Sequence, residues 1–155
     1  MGVVYLGRDP EIGRPVALKC LRDSMFEENG KVNKGFQQDM LALGRLVHPN
    51  LVTLFDAGED PSIRHSYIVM EFVEGSSLAG LMEEGRSLTL EQVRQLGIRI
   101  CGAVDFAHPK GVIHRDIKRG NILPSSGLLV AEVTDFGIAR LDSGGTTFSN
   151  AQLAR

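Results

Sequence analysis

Cysteine is scarce in this sequence: two among 155 residues, Cys20 and Cys101, neither in a C-x-x-C pair. That argues against a cysteine-built zinc site and a dithiol redox motif, and it fits a reduced, cytoplasmic compartment. No apolar run approaches the roughly 18 residues that a membrane helix needs. The longest, around Tyr67–Val73 and Leu128–Val133, have the length of strands. A basic segment leading into an apolar one, as in a signal peptide, is also missing. Met1-Gly2 opens like a myristoylation signal, yet Leu6 stands where that pattern requires Ser or Thr. Neither sign of charge dominates: 17 Lys and Arg against 19 Asp and Glu leave a net charge of −2. This balance argues against nucleic-acid or membrane-surface binding driven by bulk charge, and no internal repeat suggests a solenoid.

What is present is the make-up of a globular domain. Hydrophobic residues are 43% and charged residues 23%, enough apolar surface to bury a core. The length suits one ordinary domain or a fragment of a larger one.

The first third reads as short strands. Val3–Leu6 and Val16–Leu21 flank a turn over Asp9–Gly13. In the second strand, period two puts Ala17 and Lys19 on one face and Val16, Leu18 and Cys20 on the other. From Phe36 to Val47 the period becomes helical, with Phe36, Met40, Leu43 and Val47 forming a stripe that Asp39 borders. His48-Pro49-Asn50 ends that helix, and Leu51–Phe55 and Tyr67–Val73 read as two more strands.

Gly75-Ser76-Ser77 breaks the pattern, and helices follow over Leu78–Glu84 and from Thr89 onward. Thr89-Leu90-Glu91-Gln92 is a capping box, Val93, Leu96, Ile100, Val104 and Ala107 make the stripe of the longer helix, and Gly111 stops it. A strand pair around Ile122–Val133 comes next. Strands then helices, joined by a short linker, predict a bilobal α+β fold divided into 1–72 and 73–155, with a cleft between.

The chemistry concentrates in the loop His114-Arg115-Asp116-Ile117-Lys118-Arg119-Gly120-Asn121, which sets a base and an amide two and five positions after an acid. Asp135-Phe136-Gly137 follows, a carboxylate beside a flexible glycine. Asp116, Asn121 and Asp135 offer hard oxygens of the kind that hold Mg²⁺ jointly with phosphate groups.

H-R-D-x-K-x-x-N, then D-F-G, with V-A-L-K upstream, resembles the protein kinase family. Five fixed loop positions would match by chance with a probability of roughly 5 × 10⁻⁵. The wording of Gly111–Lys118 and Thr134–Arg140 further resembles the bacterial eukaryotic-like Ser/Thr kinases. The resemblance implies a kinase-like fold, a β-rich N-lobe with one helix and a partial helical C-lobe, incomplete at both ends. It implies ATP and Mg²⁺ as cofactors, a protein substrate with a Ser/Thr acceptor, no nucleic acid and no membrane segment in this chain.

Residue by residue, the resemblance implies that Asp116 accepts the substrate hydroxyl proton and that Lys118 neutralises the transferring group. Lys19 would bind the α/β-phosphates, with Asp39 as its helix partner where the family expects Glu. Asn121 and Asp135 would hold Mg²⁺. Gly2 and Val4 remain of the glycine-rich loop, Val4 and Ala17 would cover the adenine, and Leu123 would lie beneath it. The backbones of Glu71 and Val73 would bond its edge, with Met70 behind. Arg115 would pair with a phosphate on Ser143–Ser149, after self-association for autophosphorylation.

Other readings compete at single positions. His114 reads as a structural histidine, and Cys101, Met70 and Met82 read as core. Asp39 and the missing loop glycines motivate an alternative, a catalytically impaired kinase-like nucleotide-binding or interaction module. A small-molecule phosphotransferase is a third reading, against which Arg115 and Lys118 speak.

Overall fold

The computed structural model describes residues 3–21, 34–60, 65–125 and 130–135. Strands β1 (Val3–Arg8) and β2 (Pro15–Leu21) pair antiparallel across a turn whose chemistry is local. Asp9 Oδ1 accepts from the N–H groups of Glu11 (3.1 Å) and Ile12 (3.4 Å), and Gly13 adopts a φ of 70°, where a Cβ would be strained. β3 (Leu54–Asp60) and β4 (His65–Glu71) complete a four-stranded sheet in the order β1-β2-β4-β3.

Register decides which residues share a face, because opposed residues of an antiparallel pair point the same way. Val4 lies opposite Lys19, Ala17 opposite Met70, and Lys19 opposite Ile68. Lys19 therefore shares its face with Leu21, Ile68 and Met70, which pack with Met40 and Leu43 of helix α1 (Lys34–Leu43).

Helix α1 ends before the expected Val47. Gly44 N–H still reaches Met40 O, but Arg45 and Leu46 bond three residues back, to Ala42 O and Leu43 O. This tightening rotates Leu46 into the core and leaves Val47 73% exposed, the reverse of the expectation for Val47. The strand expected over Leu51–Phe55 also moves. It begins at Leu54 and continues through the polar run to Asp60, because pairing with β4 rather than apolar alternation sets its length. β4 starts and ends two residues earlier than expected.

Helix α2 (Leu78–Glu83) is capped by Ser77, and α3 (Leu90–Ala107) carries the expected capping box: Thr89 Oγ1 accepts from Gln92 N–H, and Gln92 Oε1 accepts from Thr89 N–H. A 3₁₀ turn over His108–Lys110 and Gly111 at φ 78° end it. Three positions expected in the core are exposed: Val93, Cys101 and Met82. Cys101 lies about 120–160° round the helix from Leu96, Ala103 and Ala107, the residues α3 buries. Val93 sits a turn before the contact with the second sheet begins at Leu96. Met82 closes α2 under the side chain of Arg119.

A two-stranded sheet of β5 (Ile122–Ser125) and β6 (Val130–Val133) packs Ile122 and Ala131 against Leu78 and Leu96. The segment after α1 is laid onto β6. Asn50 Nδ2 donates to Ala131 O (2.9 Å), Val133 N–H to Asn50 O (2.9 Å) and Val52 N–H to Val133 O (3.1 Å). One core consequently runs from Leu21, Ile68 and Met70 to Ala103, Ala107, Val112 and Val133. The architecture is α+β with antiparallel sheets, and among the described residues no helix is long and apolar enough to cross a membrane.

Candidate active site

His114 organises the loop. It is 1% exposed, Nε2 donates to Thr134 O at 2.8 Å, and Nδ1 accepts from Asp116 N–H at 3.2 Å. One nitrogen donating and the other accepting requires the neutral ring. Burial pushes the imidazole pKa below its ordinary value, outweighing the Thr134 carbonyl and the nearby carboxylates of Asp116 and Asp135. Arg115, between these anchors, takes the left-handed φ of 67°. Such a conformation costs on the order of 1–3 kcal/mol for a residue with a Cβ and persists only where its surroundings enforce it.

Asp116 is held from two sides. Lys118 Nζ donates to Oδ2 at 2.6 Å, and Asn121 Nδ2 donates to Oδ2 at 3.1 Å and to the Asp116 carbonyl at 2.8 Å. The second 3₁₀ turn, Arg119–Asn121, brings Asn121 back under Asp116. The Lys118 bond, then the Asn121 bond, hold the Asp116 carboxyl below the usual carboxylate range despite partial desolvation. It is ionised at neutral pH, and among the described residues its Oδ1 accepts no hydrogen bond.

Thr134 ties this loop to the next carboxylate. Its N–H donates to Asn121 O (3.0 Å) and its carbonyl accepts from His114, so Asp135 leaves from a fixed point. Asp135 adopts φ 64°, and Lys19 Nζ lies 2.8 Å from its Oδ2. The structure thus brings Lys19, Asp116, Lys118, Asn121 and Asp135 into one connected set.

Some of the remaining expected positions fall among the described residues. Val4 and Ala17 share the Lys19 face of the sheet, while Leu123 is half-buried on β5. The Glu71 N–H donates to Thr53 O at 2.9 Å, which commits that donor within the protein. Val73 follows β4, half-buried. Asp39 belongs to α1, and its side chain lies outside the described residues, as do Gly2, Phe136, Gly137 and Ser143–Ser149.

Sequence reasoning passed over Glu132. It lies opposite Leu123 in the β5–β6 pair, and burial, then the Glu71 carboxylate, raise its pKa. A charged residue inside the apolar run Val130-Ala131-Glu132-Val133 was the available signal.

The donor set fits a hard cation. Asn121 uses Nδ2 toward Asp116, which leaves Oδ1 available, and Asp135 supplies a carboxylate. Among the described residues no group of three or more His, Cys, Asp or Glu could hold a metal ion by itself. Two oxygen donors without an all-protein cage suit Mg²⁺ shared with phosphate groups.

Comparison with known proteins points the same way. The description "protein kinase domain" matches residues 1–153. A probable serine/threonine-protein kinase of Clostridium perfringens is 38% identical over 152 residues, 97% of this chain. The probable serine/threonine-protein kinase PknB of Lactococcus lactis is 43% identical over 141 residues, 90% of this chain. The chain spans 22% of the length of each of these relatives. Among solved structures, the PknI kinase domain of Mycobacterium tuberculosis superposes with a TM-score of 0.76 at 29% identity, covering 95% of this chain and 61% of that one. Rad53 1-466 in complex with AMP-PNP superposes with a TM-score of 0.77 at 28% identity, covering 94% and 36%.

Proposed function

We propose, from the premise that this chain belongs to the protein kinase family, that it carries the catalytic loop of an enzyme transferring the γ-phosphoryl group of ATP to serine and threonine hydroxyls of protein substrates. The observation that carries this reading is the Asp116 carboxylate, held ionised by Lys118 at 2.6 Å with Oδ1 left open.

In this reading Asp116 orients the acceptor hydroxyl and takes its proton as the new P–O bond forms and the bond from the γ-phosphorus to the oxygen that leaves with ADP breaks. Lys118 lies on the same carboxylate and supplies positive charge beside the reacting oxygen. Lys19 meets the α/β-phosphates from the sheet. Asn121 and Asp135 hold Mg²⁺. Val4, Ala17 and Leu123 enclose the purine, and the Glu71 carbonyl and Val73 backbone bond its edge, in a cleft between residues 1–72 and 73–155. Bound Mg-ATP supplies the phosphoryl group and the metal countercharge. Phosphoryl transfer of this kind needs positioning and electrostatic stabilisation more than covalent chemistry, and fixed, partly buried groups provide both. The AMP-PNP held by Rad53 supports nucleotide binding in this fold. The reading also places the activity in the cytoplasm.

The test is transfer from Mg-ATP by the full-length protein to peptides that differ only in a Ser, Thr or Tyr acceptor. Labelling of Ser and Thr is expected. Mg-ATP binding without product from any peptide would favour the nucleotide-binding module instead.

A further inference from the structure

Arg119 follows Lys118 at the start of the second 3₁₀ turn and is exposed. Among the described residues its guanidinium makes one polar contact, from Nη1 to the thioether sulfur of Met82 at 3.5 Å. A thioether is a weak acceptor, so a group with five N–H donors keeps nearly all its capacity for a stronger one. Lys118 and Lys19, by contrast, each already hold a carboxylate partner: Asp116 at 2.6 Å and Asp135 at 2.8 Å.

Among the described residues, a Cβ on Gly120 would meet only Lys118 Cε, at 4.0 Å, so they leave room for an extended chain to approach the backbone there. The carboxylates that follow Met82 do not neutralise it: Glu84 accepts from Ser76 Oγ, and neither Glu83 nor Glu84 forms an ion pair with Arg119. A fork of free donors three residues from Asp116 matches a carboxylate in planar, two-point fashion. Arg119 lies three residues after Asp116 on the same loop, and three residues of extended peptide reach about 10 Å on either side of an acceptor.

We propose that Arg119 is a specificity-determining residue that selects substrates with an acidic side chain within three residues of the acceptor hydroxyl. The inference rests on the kinase reading above. The Arg119 guanidinium forms no hydrogen bond or ion pair with Asp116 or Lys118, so it positions the peptide and takes no part in the chemistry.

The test uses the full-length protein and peptides with one Ser acceptor, flanked at each of the three positions on either side by Glu, Gln or Lys. At one or more positions Glu should exceed Gln in kcat/KM by about 2- to 5-fold, the range an exposed ion pair supports. The preference should shrink as salt rises, vanish in Arg119→Ala and invert toward Lys in Arg119→Glu. Transfer to the Gln-flanked peptide should stay within about twofold throughout. A Glu preference that survives Arg119→Ala, or none in the wild type, overturns the proposal.

A second measurement separates it from the kinase reading: fluorescence anisotropy of labelled peptides with Ala at the acceptor position. If no peptide is phosphorylated but the Glu-flanked one binds more tightly in an Arg119-dependent way, the selectivity stands and the transfer reading falls. Equal binding of Glu- and Lys-flanked peptides overturns the role of Arg119.

Discussion

Lys19 Nζ lies 2.8 Å from Asp135 Oδ2, joining the middle of the four-stranded sheet to the residue that leaves β6. Their side chains are 11% and 28% exposed, so the pair is partly removed from water on the apolar face of Ile68 and Met70. Removing one partner there leaves a charge without its counterion, which costs more than losing a surface pair. Asn50, bonded to Ala131 and Val133, holds the strand that delivers Asp135 to this position.

Lys19→Met should therefore weaken Mg-ATP binding and lower transfer by roughly 10²–10³-fold, the range for loss of one preorganised electrostatic partner. A double-mutant cycle with Asp135→Asn, read by nucleotide affinity, should show coupling above about 0.5 kcal/mol. Additive losses would mean that the two side chains act independently.

Asp39, on α1, is the other anion assigned to Lys19. Asp39→Glu should keep or raise transfer by the full-length protein, and Asp39→Ala should lower it. Wild-type activity in the alanine variant would remove Asp39 from the nucleotide site.

Asp116 and Asp135 should fail differently. Asp116→Asn keeps a side chain able to accept from Lys118 but loses the base, so Mg-ATP binding should persist while transfer falls roughly 10²–10⁴-fold. Asp135→Asn should also weaken metal-dependent nucleotide binding. Isothermal titration of both variants with Mg-ATP decides, and equal affinities would contradict the assigned roles.

His114 predicts a stability change near pH 6. Its folded pKa lies below the ordinary value of 6.5, so the unfolded chain binds the extra proton more readily. The contribution is complete above 6.5 and is lost as pH falls below it toward the folded pKa, because protonating Nδ1 would oppose the Asp116 N–H. Asp116 is also depressed, but its loss belongs below its ordinary value of 3.8. Urea midpoints should fall between pH 7 and pH 5.5 in the wild type. In His114→Gln the stability should start lower, by about 1–3 kcal/mol for the lost buried bonds, and the midpoints should change little over the same interval. Parallel pH profiles would exclude His114 as the titrating group.

Ser66 is fully buried on β4, and among the described residues its Oγ has no hydrogen-bond partner. A buried unpaired hydroxyl opposes folding, so Ser66→Ala should stabilise the protein by about 1 kcal/mol, read as a higher thermal midpoint. An unchanged or lower midpoint would show that the hydroxyl is satisfied in solution.

What the sequence determined by itself is short-range. The capping box of Thr89 and Gln92, the turn at Asp9, the stop at Gly111 and the triangle of Asp116, Lys118 and Asn121 all involve residues a few positions apart. Local backbone geometry and side-chain reach settle such contacts, so residue type and spacing were enough to read the cap, the turn and the stop, and to mark the acid, base and amide of the loop without their mutual bonds. Tertiary structure decided the rest. The meeting of Lys19 with Asp135, of Glu71 with Glu132, and of Asn50 with Ala131 depends on register between strands distant in the chain. Periodicity names the apolar side of a helix but not which part of it a neighbour covers, and so Cys101 and Val93 emerged in solvent. Val47 was lost to a tightened turn at Gly44, where closing the core around Leu46 outweighed continuing the helical period. Burial is a property of the assembled layers, and no single stretch of sequence contains its neighbours.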